Sequence, residues 1–127
     1  MGVGSGGIGL RGGRTLSENL VQLRNRFHLN SSGYFGTKGQ GRSNTRNIES
    51  TNPAKAAAEF ANLASYSPVT TETIAGKGVV WTMRDGSVVT HRFTSSSKDH
   101  SPVVELKVHN VSGVKSQKIH FTKRGTK

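Results

Sequence analysis

Residues 78–93 read GVVWTMRDGSVVTHRF: two β-like runs joined by MRDGS, whose turn geometry decides which side chains share a face. If Asp85-Gly86 alone forms a two-residue loop, Arg84 pairs with Ser87. Trp81 then shares a face with Thr90, and Val79 with Arg92. If Arg84-Asp85-Gly86 forms a three-residue loop with Gly86 left-handed, Met83 pairs with Ser87. Trp81 then meets Val89, and Val79 meets His91. Only the second register gathers Val79, Trp81, Met83, Val89 and Phe93 on one side. Burial of one face specifies register, so the three-residue loop is expected.

Two further runs alternate in the same way, PVVELKV (102–108) and SQKIHF (116–121), and VTTETI (69–74) is a weaker fifth. Extending the parity, Val104, Leu106, Val108, Ile119 and Phe121 join the buried face. Thr90, Arg92, Thr94, Glu105, Lys107, His109, Ser116, Lys118 and His120 fall on the other. That second face brings Arg, Lys, Glu and His together, unlike a plain Lys/Glu/Thr surface.

The first half of the chain has a different period. In TLSENLVQLRNRF (15–27), Leu16, Leu20, Leu23 and Phe27 make one helical stripe. Thr15 and Glu18 have capping-box spacing, and Arg24 and Arg26 suit the C-terminal end of the helix dipole. STNPAKAAAEFANLASY (50–66) is a second helix, with Asn52 as cap, Pro53 in the first turn and Pro68 beyond its end. Ala57, Phe60, Leu63 and Ala64 form its apolar stripe. Between the helices, NSSGYFGTKGQGRSNTR (30–46) reads as a mobile basic loop carrying Tyr34, Phe35, Arg42 and Arg46. Helices followed by strands indicate an α+β fold. The expectation is two N-terminal helices packed on a four- to five-stranded antiparallel sheet. Residues 1–14, rich in glycine, are expected to be a flexible linker, and residues 15–127 a single domain. Gly2, Gly4 and Gly7 match a dinucleotide fingerprint, but no strand precedes them.

With 127 residues, one modest core is the most the chain can build. There is no cysteine, which removes disulfides and thiolate chemistry. No stretch is long and apolar enough to span a membrane, and no membrane partner is expected. Net charge is +11, and the excess is spread through both halves. That favours an anionic partner, whether RNA, DNA, an acidic protein or an anionic membrane, with nucleic acid the leading reading.

The five histidines differ in setting. His28 ends the first helix, His91 shares parity with the apolar residues, and His100 lies in the loop SSSKDHSP. His109 closes a strand. His120 lies mid-strand on the polar parity beside Lys118, and is the leading acid/base candidate. The spacing shows no H-E-x-x-H and no G-x-S-x-G, and neither a metal nor a cofactor is expected. Chemistry that needs only Arg, Lys, His and a hydroxyl is RNA cleavage by its own 2′-OH, leaving a 2′,3′-cyclic phosphate. The open alternatives are a non-catalytic basic RNA-binding module and a metal-dependent DNase. Trp81, Phe93 and Phe121 share the buried parity, which favours cleavage over stacking on the sheet face.

RNIESTNPAKAAAEF (46–60), GKGVVWTMRDGSVVTHRFTSSSKDHSPVVELKV (76–108) and GVKSQKIHF (113–121) together resemble the C-terminal toxin cartridges of bacterial polymorphic toxins, including contact-dependent growth-inhibition effectors. These are similar to the barnase/EndoU/colicin/RelE-like ribonucleases. The resemblance implies a metal-independent endoribonuclease, often acting on tRNA, carried as the C-terminal part of a secreted or cell-surface effector. It would act in the target-cell cytoplasm as a monomer, and a cognate acidic immunity protein would protect the producer. Carried over by motif, the catalytic positions are His120, Lys118, Arg92, Glu105, Ser116 and Thr94. Independently of the resemblance, Ser95, Ser97, Lys107 and His109 are substrate-holding candidates, and the basic loop 33–46, with Arg42, Arg46, Tyr34 and Phe35, would hold substrate through charge and stacking. His91 departs from the pattern, where an aromatic such as tyrosine is expected. KDHSP departs too, lacking a glycine before Ser-Pro.

Overall fold

The computed structural model describes residues 13–39, 41–95 and 99–124. Helix α1 is Leu16–Arg26, followed by strands β1 (Thr37–Lys38) and β2 (Thr45–Ser50). Helix α2 is Pro53–Ala64. Strands β3 (Thr70–Ile74), β4 (Gly78–Thr82), β5 (Val88–Arg92), β6 (Val103–Lys107) and β7 (Gln117–Lys123) complete the chain. All seven strands form one sheet in the order β1-β2-β7-β6-β5-β4-β3. Neighbours are antiparallel except β2 and β7, which run parallel.

This overturns the expected four- to five-stranded antiparallel sheet below two N-terminal helices. The sheet is mixed and has seven strands, and α2 follows two of them. The cause is the segment Thr45–Ser50, TRNIES, which carries one large apolar residue and mostly half-buried side chains. Its strand character comes from pairing with β7, from Thr45 opposite Lys118 to Ser50 opposite Lys123, and not from its own alternation. A parallel pair needs a long crossover, and here everything from α2 to β6 lies between the two strands. The expected basic loop is therefore partly sheet. The helices also differ in role. α2 lies across β2, β5, β6 and β7, whereas α1 packs on α2.

The hairpin takes the expected register, with Trp81 opposite Val89 and Val79 opposite His91. The Met83 N–H donates to Ser87 O at 2.8 Å, and Gly86 has φ 90°, a conformation that favours glycine. The tip also grips the first helix. Asp85 Oδ1 accepts from the Ser87 N–H at 2.9 Å, and its Oδ2 accepts from the Leu16 N–H at 3.1 Å. An aspartate thus satisfies one of the orphan donors at the start of α1. The Thr15–Glu18 capping box forms as expected.

The core is centred on Phe60 of α2. Its ring meets Phe27 and Phe35 at 5.0 Å and Phe121 at 5.6 Å, all edge to face. Leu16, Leu20 and Leu23 close it from α1, and Val89, Val104, Leu106 and Ile119 from the sheet. Phe93 does not join them. β5 ends at Arg92, and Phe93 is 45% exposed with its ring edge-on to His91. Two polar side chains are buried because the backbone requires them. Asn19 donates to the carbonyls of Ala64 and Tyr66, where α2 ends. Gln117 accepts from the Phe35 N–H at 2.8 Å and donates to the Gly33 and Lys115 carbonyls.

Residues 1–12 of the expected linker lie outside the described residues. Its last residue, Arg14, belongs to the fold: its N–H donates to Ser67 O, its carbonyl accepts from the Arg84 N–H, and its Nε donates to Asn19. No helix among the described residues is long and apolar enough to cross a membrane.

Candidate nucleic-acid interface

Both helices lie on one side of the sheet, and the opposite face carries the polar parity. Register arranges it in rows. One row runs Asn47–His120–Val103–Arg92 across β2, β7, β6 and β5. The next runs Thr45–Lys118–Glu105–Thr90. Adjacent strands are about 4.8 Å apart, so His120 and Arg92, two strands apart, have Cα atoms about 10 Å apart.

His120 is half-buried, and its Nδ1 lies 3.0 Å from Ser101 Oγ. Ser101 is itself buried and sits 3.4 Å from Ser95 Oγ, while its N–H donates to Asp99 Oδ1 at 3.0 Å. Ser95, Asp99 and Ser101 therefore gather with His120 at this end of the open face. Val103, in the same row, is buried although it shares parity with charged residues. With Nδ1 held, Nε2 is the nitrogen that meets a reacting group. Burial lowers the His120 pKa below its ordinary 6.5. The Lys118 charge lowers it further, and the Asp99 charge opposes both. The ring is thus biased toward the neutral form, the form a general base requires. The buried position of Ser101 suits a positioning group better than an attacking nucleophile.

The sequence candidates divide along the strands. His120, Arg92, Thr94 and Ser95 lie at or beside this end, and Lys118 and Glu105 form the next row along the strands. Lys118 and Arg92 are exposed, and Glu105 is half-buried. Lys107 is four positions along β6 from the His120 row, about 13 Å away. His109 is farther still, and its groups serve the hairpin: Nδ1 lies 2.7 Å from Asp85 O, and its N–H donates to Ser87 Oγ. Ser116 Oγ accepts from the Val108 N–H at 2.9 Å and so holds the β6–β7 connection. Shared parity had grouped these three with His120, but parity is blind to position along a strand.

Arg46 lies on the opposite face, with its guanidinium 3.8 Å from the Tyr34 ring centroid. Arg42 is exposed in the turn before β2. Ser97 lies outside the described residues. Among the other histidines, His91 is buried with its pKa lowered by that burial, as expected of a structural residue.

Sequence reading missed Ser101, Asn47 and Thr45. Thr45 lies within the expected loop 30–46, and Asn47 just beyond it. Ser101 precedes the strand whose first residue faces His120, a relation that appears only once the β6–β7 register is known. A cleft of about 480 Å³ opens beside Asn47 at the sheet edge, lined also by Phe27, His28, Thr37 and Glu49. Among the described residues, no group of three or more His, Asp or Glu side chains is gathered to hold a metal.

Compared with protein-family models, curated proteins and solved structures, the chain matches none.

Proposed function

We propose that this chain is an endoribonuclease that cleaves RNA through the substrate's own 2′-OH. The observation that carries this reading is His120, fixed by Ser101 and biased toward its neutral form, on an open face beside Lys118 in a chain of net charge +11. His120 Nε2 takes the 2′ proton, and the 2′ oxygen attacks the adjacent phosphorus. The bond to the 5′ oxygen breaks, and that oxygen leaves with a proton from solvent. The product is a 2′,3′-cyclic phosphate. Lys118 and Arg92 stabilise the charge that develops on the phosphate, and Glu105 stands opposite Lys118 in the β6–β7 register. The substrate supplies the nucleophile, so no activated Ser or Cys is needed.

From the motif resemblance we propose further that this activity serves competition between bacteria. The domain would be carried by a secreted or cell-surface effector, act on tRNA in the target-cell cytoplasm, and be neutralised by an acidic immunity protein. That setting rests on the quoted motifs alone.

The test is incubation of the purified chain with total bacterial RNA in excess EDTA, beside His120→Ala and Lys118→Ala. Discrete fragments with cyclic-phosphate ends, lost in both variants, are expected. Cleavage that survives His120→Ala refutes the reading. One observation favours a second reading. The exposed Phe93 ring beside Arg92 offers a stacking surface for a non-catalytic RNA-binding face. That reading holds if wild type and His120→Ala bind RNA equally and neither cleaves it.

A further inference from the structure

We propose that Tyr34, Arg46 and Lys115, with the hydroxyls of Ser31 and Ser32, form a second anchor for the RNA backbone, around the end of the sheet from His120. This inference rests on the RNA-cleaving reading and supplies what that reading lacks, a grip on the strand away from the cut.

The cluster begins with a charge imbalance. The Arg46 guanidinium stacks on the Tyr34 ring, and Lys115 Nζ lies 5.9 Å from the same ring centroid. The ion pairs among the described residues, Arg26 with Glu59 and Arg84 with Glu18, include neither cation. Arg46 Nε is buried and meets no acceptor among the described residues. A buried donor without a partner is costly, and an anion at this guanidinium would offset part of that cost. Beside the cluster lies a cleft of about 450 Å³, with Lys115, Ser31, Ser32 and Gly33 in its lining. Hydroxyls and an ammonium around such a cleft are donors suited to phosphate oxygens.

The scaffold is fixed in advance. Asn30 Oδ1 accepts from the N–H groups of Ser32 and Tyr34, and Asn30 O accepts from Gly33 N–H. Gly33 O in turn accepts from the Lys115 N–H and from Gln117 Nε2. Loop and strand are thereby joined, so the donors need little ordering when a ligand arrives.

Continuity with the open face selects RNA as the occupant. Lys115, Lys118 and His120 follow one another toward and along β7, and five residues of extended chain span about 16 Å. A single strand leaving His120 passes Lys118 at the end of the face and reaches Lys115, Tyr34 and Arg46 just around it. Aromatic rings and guanidinium planes also stack unpaired bases, so the anchor fits a single-stranded segment better than a duplex.

The test measures binding of the full chain to a short 2′-O-methyl oligoribonucleotide of mixed sequence, which has no 2′-OH to attack, over a range of salt concentrations. Each phosphate contact on a single strand contributes about 0.7 to the slope of log K against log salt. Arg46→Met with Lys115→Met is expected to reduce that slope by about 1.4, equally across sequences. If Arg46→Met melts early, Lys115→Met alone, at an exposed side chain, is expected to remove about 0.7. An unchanged slope, or no binding of the oligonucleotide by the wild-type chain, overturns the anchor. Cleavage of natural RNA, assayed in parallel, separates the two claims. An unchanged slope with cleavage intact sinks only the anchor. A reduced slope with a wild type that never cleaves upholds the anchor and sinks only the nuclease.

Discussion

Hydrophobic alternation in SQKIHF would invite a leucine at position 117, since Gln117 shares parity with Ile119 and Phe121 and is equally buried. The hydrogen bonds forecast the opposite. Gln117→Leu orphans the Phe35 N–H, which is buried, at a cost of about 1–3 kcal/mol. The partly buried Lys115 carbonyl loses its donor at about 0.5–1.5 kcal/mol. Gly33 O keeps the Lys115 N–H and loses little. The more apolar side chain returns about 1–2 kcal/mol of burial. The net expectation, taken at the midpoints, is a loss of about 1.5 kcal/mol. Urea unfolding measures it as a lower midpoint at unchanged slope. Hydrogen exchange at the Phe35 amide should accelerate more than at α1 amides. A leucine variant as stable as the parent would refute the claim that polar satisfaction outweighs apolar burial here.

Three further outcomes follow from the site. NMR titration should place the His120 pKa below 6.5; Lys118→Ala should raise it by removing a repelling charge, and Asp99→Asn should lower it by removing an attracting one. The rate of RNA cleavage should then rise with pH through that pKa, as the base form is populated. Ser101→Ala should lower kcat on the order of tenfold to a hundredfold with KM little changed, because His120 loses the partner that orients it. Stability should fall as pH drops. His91 and His120 have lowered pKa values in the folded state, so the unfolded chain binds protons first and is favoured from about 6.5 downward. Thermal melts across that range should flatten partly in His91→Gln; melts independent of pH there would refute the assignment.

What could be read in advance, and what could not, has physical causes. The 78–93 hairpin was legible because one parity gathers large apolar side chains, so a one-residue slip would expose them all. Helix caps were legible because Thr15, Glu18, Asn52 and Pro53 act within one turn of chain. β2 was illegible because its partner, β7, is remote in sequence and its own residues are polar. Phe93 was misplaced because alternation stops where the strand stops. Of the candidate site, Lys118, Glu105, Arg92 and His120 were placed on one face by parity alone. Their separation from His109 and Ser116, and the approach of Ser101 to His120, required the pairing of β6 with β7.

The parallel pairing of β2 with β7 has a consequence for how the molecule comes into being. The last strand is not an edge but an interior plank, wedged between β2 and β6. Until it arrives, two strand edges stand unzipped and the core lacks Ile119 and Phe121. A chain emerging from a ribosome therefore stays incomplete until β7 is free. Closure of that long-range contact should be slow, as it is for folds rich in non-local pairings. The same strand carries His120, so the chain gains its candidate base in the step that completes its sheet.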